Sequence, residues 1–377
     1  MNIYSLVLAG GGGKGAYQIG AWKALMELGI SFDAIAGVSI GSINGALIAA
    51  GDYDKAVEMW SNVSLDKGVK INEALPDPDN LFSKKNWSAL FREFLKNGGI
   101  DASPARDYVA QYIDEEKVRQ SGISLGVVAV HVNQGMTPVE VFIEDMQEGE
   151  LLEYLMASSS VPLTTNLLTE GERYLDGGVY DNTPVMTLKK RGYNRLIVLD
   201  ISNIKGVAHN LDFLNSQVVY VRPYDLEELG ATFDFSREMI DKRITLGYLD
   251  TRKAFSLLAG RIYYFRPDEF RAMVRQYGAD AVINLEELAH ELKLPKAHVY
   301  TPDEFILGTK ELYENAKIER VQQLLEDDSV PDVAMVFEAE KDTKADVIAS
   351  IKKRFTKNKD EFEKFTDAIA LLDNYIA

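Results

Sequence analysis

Two strand–turn–helix steps stand back to back in the first fifty or so residues, and they restrict the fold more than any other feature of the chain. Ile3–Ala9 is a short run rich in Ile, Leu and Val that ends in glycines, as a buried strand does. Gly10–Gly15 reads as a loop. Ala16–Leu28 then carries apolar residues at helical spacing (Ile19, Trp22, Leu25, Met26) until Gly29 stops it. Ala34–Val38 is a second strand, and Ile40–Ala50 a second helix stopped by Gly51. This order is the βαβ signature of a parallel sheet covered by helices. Further strands are expected at Gly126–Val132, Val139–Ile143, Arg195–Ile201 and Gln217–Arg222. Residues 1–260 thus read as one α/β part, and 261–377 as a mostly helical second part. In the latter, Asn284–Leu294 and Thr309–Leu325 look helical, and Glu326–Lys344 looks like an exposed connection. Within Val347–Ala377, residues Phe362, Phe365, Ile369, Leu372 and Ile376 form one apolar face, expected to pack on its own domain.

With 377 residues the chain is long enough for two domains or for one large domain with an appendage. Its 41 basic against 58 acidic residues give a net charge of −17, which argues against nucleic-acid binding and strong attraction to anionic membranes. The absence of cysteine removes thiolate catalysis and Cys-ligated zinc. No basic segment precedes the first apolar run, so no signal peptide is expected and the location is read as cytoplasmic. The longest uncharged run, Ala34–Gly51, has a span's length but is broken by glycines, serines and an asparagine. It reads as strand, turn and helix rather than as a transmembrane segment.

Gly10-Gly11-Gly12-Gly13-Lys14-Gly15 follows a strand and opens a helix, and it satisfies G-x-G-x-x-G. A dinucleotide site also needs an acid at the end of the next strand, whereas the only nearby acid, Asp33, precedes that strand. The Walker pattern fails too, because Lys14 is followed by Gly15. What remains is a set of bare backbone N–H groups at a helix N-terminus, suited to a phosphate or to a transient oxyanion.

Gly37-Val38-Ser39-Ile40-Gly41 decides in favour of the oxyanion. It is G-x-S-x-G at a strand-to-helix junction, the context of a nucleophile elbow. A serine nucleophile needs a base. Of the four histidines, His131 falls in a strand, His290 and His298 lie far from any motif, and His209 alone would complete a Ser…Asp…His order. The stronger candidate is Asp176 in Asp176-Gly177-Gly178, a carboxylate on a tight turn after a short apolar strand. Read by itself, that tripeptide would pass for a type I′ hairpin turn.

Together these motifs resemble the patatin-like phospholipase family. The glycine loop Gly10–Gly15, the elbow Gly37–Gly41 and Asp176-Gly177-Gly178 match the family's three signatures. Met156–Pro162 and Asn182-Thr183-Pro184 also look like the family, and Ile244–Tyr248 resembles a late helix of bacterial members. Lys14 stands where arginine is commoner, and Gly178 where plant members have alanine. The resemblance implies a three-layer α/β/α patatin-like fold with a mainly parallel sheet. It also implies a lipid acyl hydrolase with Ser39 as nucleophile, Asp176 as base and Gly10–Gly15 as oxyanion loop, Lys14 fixing that loop or adding positive potential. No metal and no cofactor are expected, and the substrate is a phospholipid, lysophospholipid or acylglycerol. The alternatives are a nucleotide-binding protein using the glycine loop and a catalytically silent module of the same fold. Trp87, Leu90, Phe91, Phe94 and Leu95 form an apolar helical face that suits core packing or transient contact with a lipid surface.

Overall fold

In the computed structural model, which describes residues 2–64, 67, 102–132, 135–160, 174–202, 215–326 and 359–375, the chain divides into two units, Met1–Ala254 and Phe255–Ala377. The first unit is built on β1 (Asn2–Leu8), β2 (Ile30–Val38), β3 (Ser124–His131), β4 (Thr137–Phe142), β5 (Tyr174–Asp176), β6 (Arg195–Leu199) and β7 (Gln217–Val221). Their order is β4-β3-β2-β1-β6-β7, with β5 paired to β3. Strands β1, β2, β3, β6 and β7 run parallel, and β4 and β5 run antiparallel to β3. The sheet is therefore mainly parallel, as the βαβ pattern predicts.

The first unit's helices are α1 (Ala16–Glu27), α2 (Ile40–Ala49), α3 (Tyr53–Asn62), α4 (Ser103–Ala110), α5 (Glu115–Gln120), α6 (Leu151–Ser158), α7 (Val185–Lys189) and α8 (Arg237–Ala254). Because side chains alternate across a strand, successive residues of the central strands feed different layers. Val7, Ala34, Ala36, Leu196 and Val198 pack under Val185 and Leu188 of α7. Leu8, Ile35 and Leu125 meet Gly45 of α2 on the other face. Covered on both faces, these strands are continuous apolar runs rather than alternating ones.

β2 begins at Ile30, earlier than the apolar run suggests, and Asp33 lies inside it. The pairing steps from Tyr4↔Phe32 to Ser5↔Ala34, so Asp33 is the extra residue of a bulge. Its carboxylate accepts a 2.7 Å hydrogen bond from the Ser5 hydroxyl. That partner lets an acid sit within an otherwise apolar strand.

Helices α1 and α8 touch backbone to backbone. A Cβ on Gly20 would lie 1.8 Å from the Ile244 carbonyl oxygen, and one on Gly247 would lie 1.9 Å from that of Tyr17. The Tyr17 hydroxyl also donates a buried 2.8 Å bond to Asp250 across the same contact. Gly247→Ala must push the helices apart, and we expect a loss of about 3 kcal/mol in urea unfolding. An unchanged midpoint would mean that the helices do not cross this closely.

The second unit has β8 (Tyr264–Phe265) and β9 (Val299–Tyr300) in parallel, with α9 (Pro267–Tyr277), α10 (Ala279–Glu291), α11 (Pro302–Glu326) and α12 (Lys359–Asn374). The helices follow the expected pattern; the two-residue strands are too short to leave a sequence signal. Tyr263, Phe265, Leu285 and Phe305 centre its core, and Ile369 and Leu372 of α12 are buried there. Ile369 and Leu372 of the terminal apolar face thus pack on their own unit, while the side chains of Phe362, Phe365 and Ile376 lie outside the described residues. Buried Glu286 accepts from the successive N–H groups of Arg261, Ile262 and Tyr263, which anchors the turn before β8. Among the described residues, no helix is long and apolar enough to cross a membrane.

Candidate active site

Strand register explains how two residues far apart in the chain meet. β2 covers one edge of β3 only as far as Val38 opposite Val128. β4 covers the other edge from Gly126 to His131. β5 pairs with Ala129–His131, so it must take the edge that β2 has vacated, with Asp176 opposite Ala129. Ser39 follows Val38 directly, and the two strand ends bring Ser39 and Asp176 together. Both line one cavity, and the Ser39 hydroxyl is close enough to the Asp176 carboxylate to favour its ionised form.

Ser39 is held at φ 53°, ψ −130°, a conformation that side chains avoid. Three contacts hold it there. Its N–H donates at 2.8 Å to the Ser158 hydroxyl, which in turn donates at 2.6 Å to the Val128 carbonyl. Its carbonyl accepts from the N–H and the hydroxyl of Ser42, at 2.9 and 2.7 Å. The flanking glycines answer to space: a Cβ on Gly41 would lie 2.4 Å from the Leu8 carbonyl oxygen, and one on Gly37 the same distance from that of Gly41.

Asp176 caps a short 3-10 turn, Gly177–Val179, rather than entering a type I′ hairpin turn. Its Oδ1 accepts from the Gly178 N–H at 2.8 Å, and its own N–H donates to the Ser160 carbonyl at 2.8 Å. Burial pushes its carboxyl up from 3.8 to about 6, against the opposing pull of the Ser39 and Gly178 hydrogen bonds.

The glycine loop is a single 3-10 turn, Gly12–Gly15, that opens α1. Three of its amides are engaged within the protein. Gly10 donates to the Asn182 carbonyl at 3.2 Å, Gly13 to Thr232 at 2.7 Å and Lys14 to Gly11 at 3.2 Å. Among the described residues, Gly11 and Gly12 have amides with no protein acceptor. Both line a cavity of about 440 Å³ together with Ser39, Asp176 and Lys14. Its remaining wall is largely apolar, from Ile40, Ile43, Val179, Ile201 and Phe233. The Lys14 side chain is buried, and burial first, then the nearby Arg243 charge, lower its pKa.

Sequence reasoning missed the supports of this loop. Arg243 on α8 is fully buried, and its guanidinium donates to the carbonyls of Leu229 (2.8 Å), Ala231 (2.8 Å) and Asp234 (2.6 Å). It thereby fixes the segment whose Thr232 carbonyl holds Gly13. Burial pulls the Arg243 pKa down to about 10. An arginine on a helix reads as solvent-facing, so no local signal marks it. Ser158 stood out only as part of the Met156–Pro162 stretch, of which residues 161 and 162 lie outside the described residues.

Other candidates lie elsewhere. His131 belongs to β3 and stacks on Tyr174 at 4.7 Å, and His290 and His298 belong to the second unit. His209 and the Trp87–Leu95 face lie outside the described residues. Asp33 is near the start of β2, while the glycine loop faces its end at Ser39, so the acid that a nucleotide ribose requires is at the wrong end of the strand.

Known proteins share sequence with this part of the chain. Residues 6–189 match the family model for patatin-like phospholipase. Lysophospholipase NTE1 of Candida glabrata is 29% identical over 77% of this chain and 16% of its own length. Its counterpart in Kluyveromyces lactis is 30% identical over 53% of this chain and 12% of its own. A patatin-like phospholipase domain-containing protein of Caenorhabditis elegans, ZK370.4, is 27% identical over 54% and 14%. The chain thus spans only 12–16% of the length of these curated relatives. Among solved structures, VipD from Legionella pneumophila aligns over 99% of this chain and 84% of its own at 13% identity, with a TM-score of 0.42. Residues 6–189, which carry the glycine loop, Ser39 and Asp176, form a patatin-like phospholipase domain.

Proposed function

We propose that the chain is a lipid acyl hydrolase that cleaves carboxylic esters through a Ser39–Asp176 dyad. One observation carries this reading: a serine on a strained strand-to-helix turn faces a half-buried carboxylate, in an apolar cavity lined by two glycines with unpartnered amides. In the forward step Asp176 takes the proton as Ser39 Oγ attacks the ester carbonyl. The Gly11 and Gly12 N–H groups meet the developing oxyanion, at roughly 3–4 kcal/mol of transition-state stabilisation per donor. The proton then passes to the departing alkoxide, leaving an acyl-Ser39 ester. Asp176 next deprotonates a water, which attacks that ester; as the acyl–Oγ bond breaks, the proton passes from Asp176 to Ser39 Oγ, releasing the fatty acid and restoring the free dyad. Lys14 keeps a cation behind the loop and takes no part in proton transfer.

The apolar wall suits an acyl chain, and the names of the relatives point to lysophospholipids as the first substrate to try. The test is fatty-acid release from 1-palmitoyl lysophosphatidylcholine in ¹⁸O-water, followed across pH. One ¹⁸O should enter the fatty acid, because the acyl–oxygen bond is the one broken. Asp176 must be ionised to act as base, so kcat/KM should rise with pH through about 6 and level off above it. A flat profile from pH 5 to 8, or label in the alcohol, would contradict the mechanism.

A further inference from the structure

We propose that Asn182 is a positioning residue that fixes the spacing between the nucleophile side and the base side of the site, a role that rests on the Ser39–Asp176 reading. Asn182 is 5% exposed and lies on the cavity wall, six positions after Asp176 in the chain. It grips a single residue, Gly10, from both sides: its backbone carbonyl accepts the Gly10 N–H at 3.2 Å, and its Nδ2 donates to the Gly10 carbonyl at 3.2 Å. Its Oδ1 fills the space between two glycines. A Cβ on Gly10 would lie 2.6 Å from that oxygen, and one on Gly178 would lie 2.5 Å from it.

Each of those glycines leads to one reacting group. Gly10 abuts Ser39, whose Cβ is 3.2 Å from the Gly10 Cβ position. Gly178 donates its N–H to Asp176 Oδ1 at 2.8 Å. One planar amide therefore sits between the backbone that backs the nucleophile and the backbone that holds the base. It has no titrating proton, so it sets distance without competing for the one in transfer. The missing side chain at position 10 follows from the same fact, because a methyl group there would meet the Asn182 oxygen.

Removing this spacer should disturb alignment more than binding. A displacement of about 1 Å between reacting groups costs on the order of 100-fold in rate. The test is kcat, KM and the pH profile of Asn182→Ala and Asn182→Asp on p-nitrophenyl butyrate, with Ser39→Ala alongside. For Asn182→Ala we expect kcat to fall about 10- to 100-fold with KM within about twofold. Asn182→Asp keeps the size but loses the donor to Gly10 and adds a second carboxylate near Asp176. Among the described residues, Lys14 shares the cavity wall with Asp176, Asp181 donates its N–H to Gly177 on the same turn, and His131 stacks on Tyr174. All three are unchanged in the variants, so the acid limb should move upward from about 6 in Asn182→Asp alone.

Folded variants with wild-type kcat and an unmoved acid limb, beside an inactive Ser39→Ala protein, would overturn the role of Asn182 and leave the dyad standing. An active Ser39→Ala protein would overturn the dyad and this role with it. If neither Asn182 variant folds, Asn182 is a core residue and the positioning role is wrong.

Discussion

Ser39→Ala is expected to lower lysophospholipid turnover by about 10⁴-fold or more while leaving the fold in place. The size of the effect follows from the chemistry. Without Oγ no acyl-enzyme can form, and what remains is the smaller contribution of the amides and the cavity. The fold should survive because Ser39 is held through its backbone, by Ser158 at its N–H and Ser42 at its carbonyl, and neither bond uses the hydroxyl. A companion substitution separates chemistry from strain. At φ 53° a side chain is unfavourable, and glycine is not. Ser39→Gly should therefore be as inactive as Ser39→Ala but more stable, by about 1 kcal/mol in urea unfolding. If the two variants melt together, the elbow stores no strain. If either retains substantial turnover, Ser39 is not the nucleophile.

Asp176→Asn should cost a comparable factor in rate and, unlike the serine change, should make the protein more stable at neutral pH. Burial raises the folded carboxyl from 3.8 to about 6, so the folded state prefers the protonated form. The sign follows directly. The stability that this group contributes is full below about pH 3.8 and is lost as pH rises through about 6. Above that range the ionised carboxylate burdens the fold by up to about 3 kcal/mol, from 1.36 kcal/mol for each pH unit between the two values. Asparagine is never ionised and keeps an acceptor for the Gly178 N–H. The variant should thus gain up to about 3 kcal/mol over the wild type at pH 7.5, with the gain vanishing near pH 4. Urea midpoints at pH 4 and pH 7.5 measure this. Equal stabilities at pH 7.5 would mean that Asp176 is well solvated and unsuited to the role of base.

The parts of this site that lie within short stretches of chain are readable from sequence. Bare glycines after an apolar strand, a serine between glycines at a strand-to-helix junction, and an aspartate before two glycines each declare a backbone geometry that few other residues allow. The parallel sheet is legible for the same reason, because strands buried on both faces are written as apolar runs. What sequence does not carry is the pairing of distant elements. That Asp176 meets Ser39 depends on β5 taking the edge of β3 beyond Val128, which no local pattern in Tyr174–Asp176 announces. Asn182 is a polar residue that bonds to Gly10, 172 positions away, and Arg243 is one that bonds to three carbonyls of an irregular segment 9–14 positions before it. The bulge at Asp33 likewise depends on a partner, Ser5, on another strand. Polarity alone would place all three at the surface.

Hydrolysis by this route requires Ser39 to be an activated nucleophile in an oxyanion-binding cavity. The most direct measurement is to treat the purified protein with a fluorophosphonate and locate the adduct by peptide mass spectrometry. One phosphonyl group is expected, on Ser39, formed in the wild type and almost absent from Asp176→Asn, because the serine then has no base. Folded wild-type protein that takes up no label, or takes it up on another residue, would contradict this mechanism.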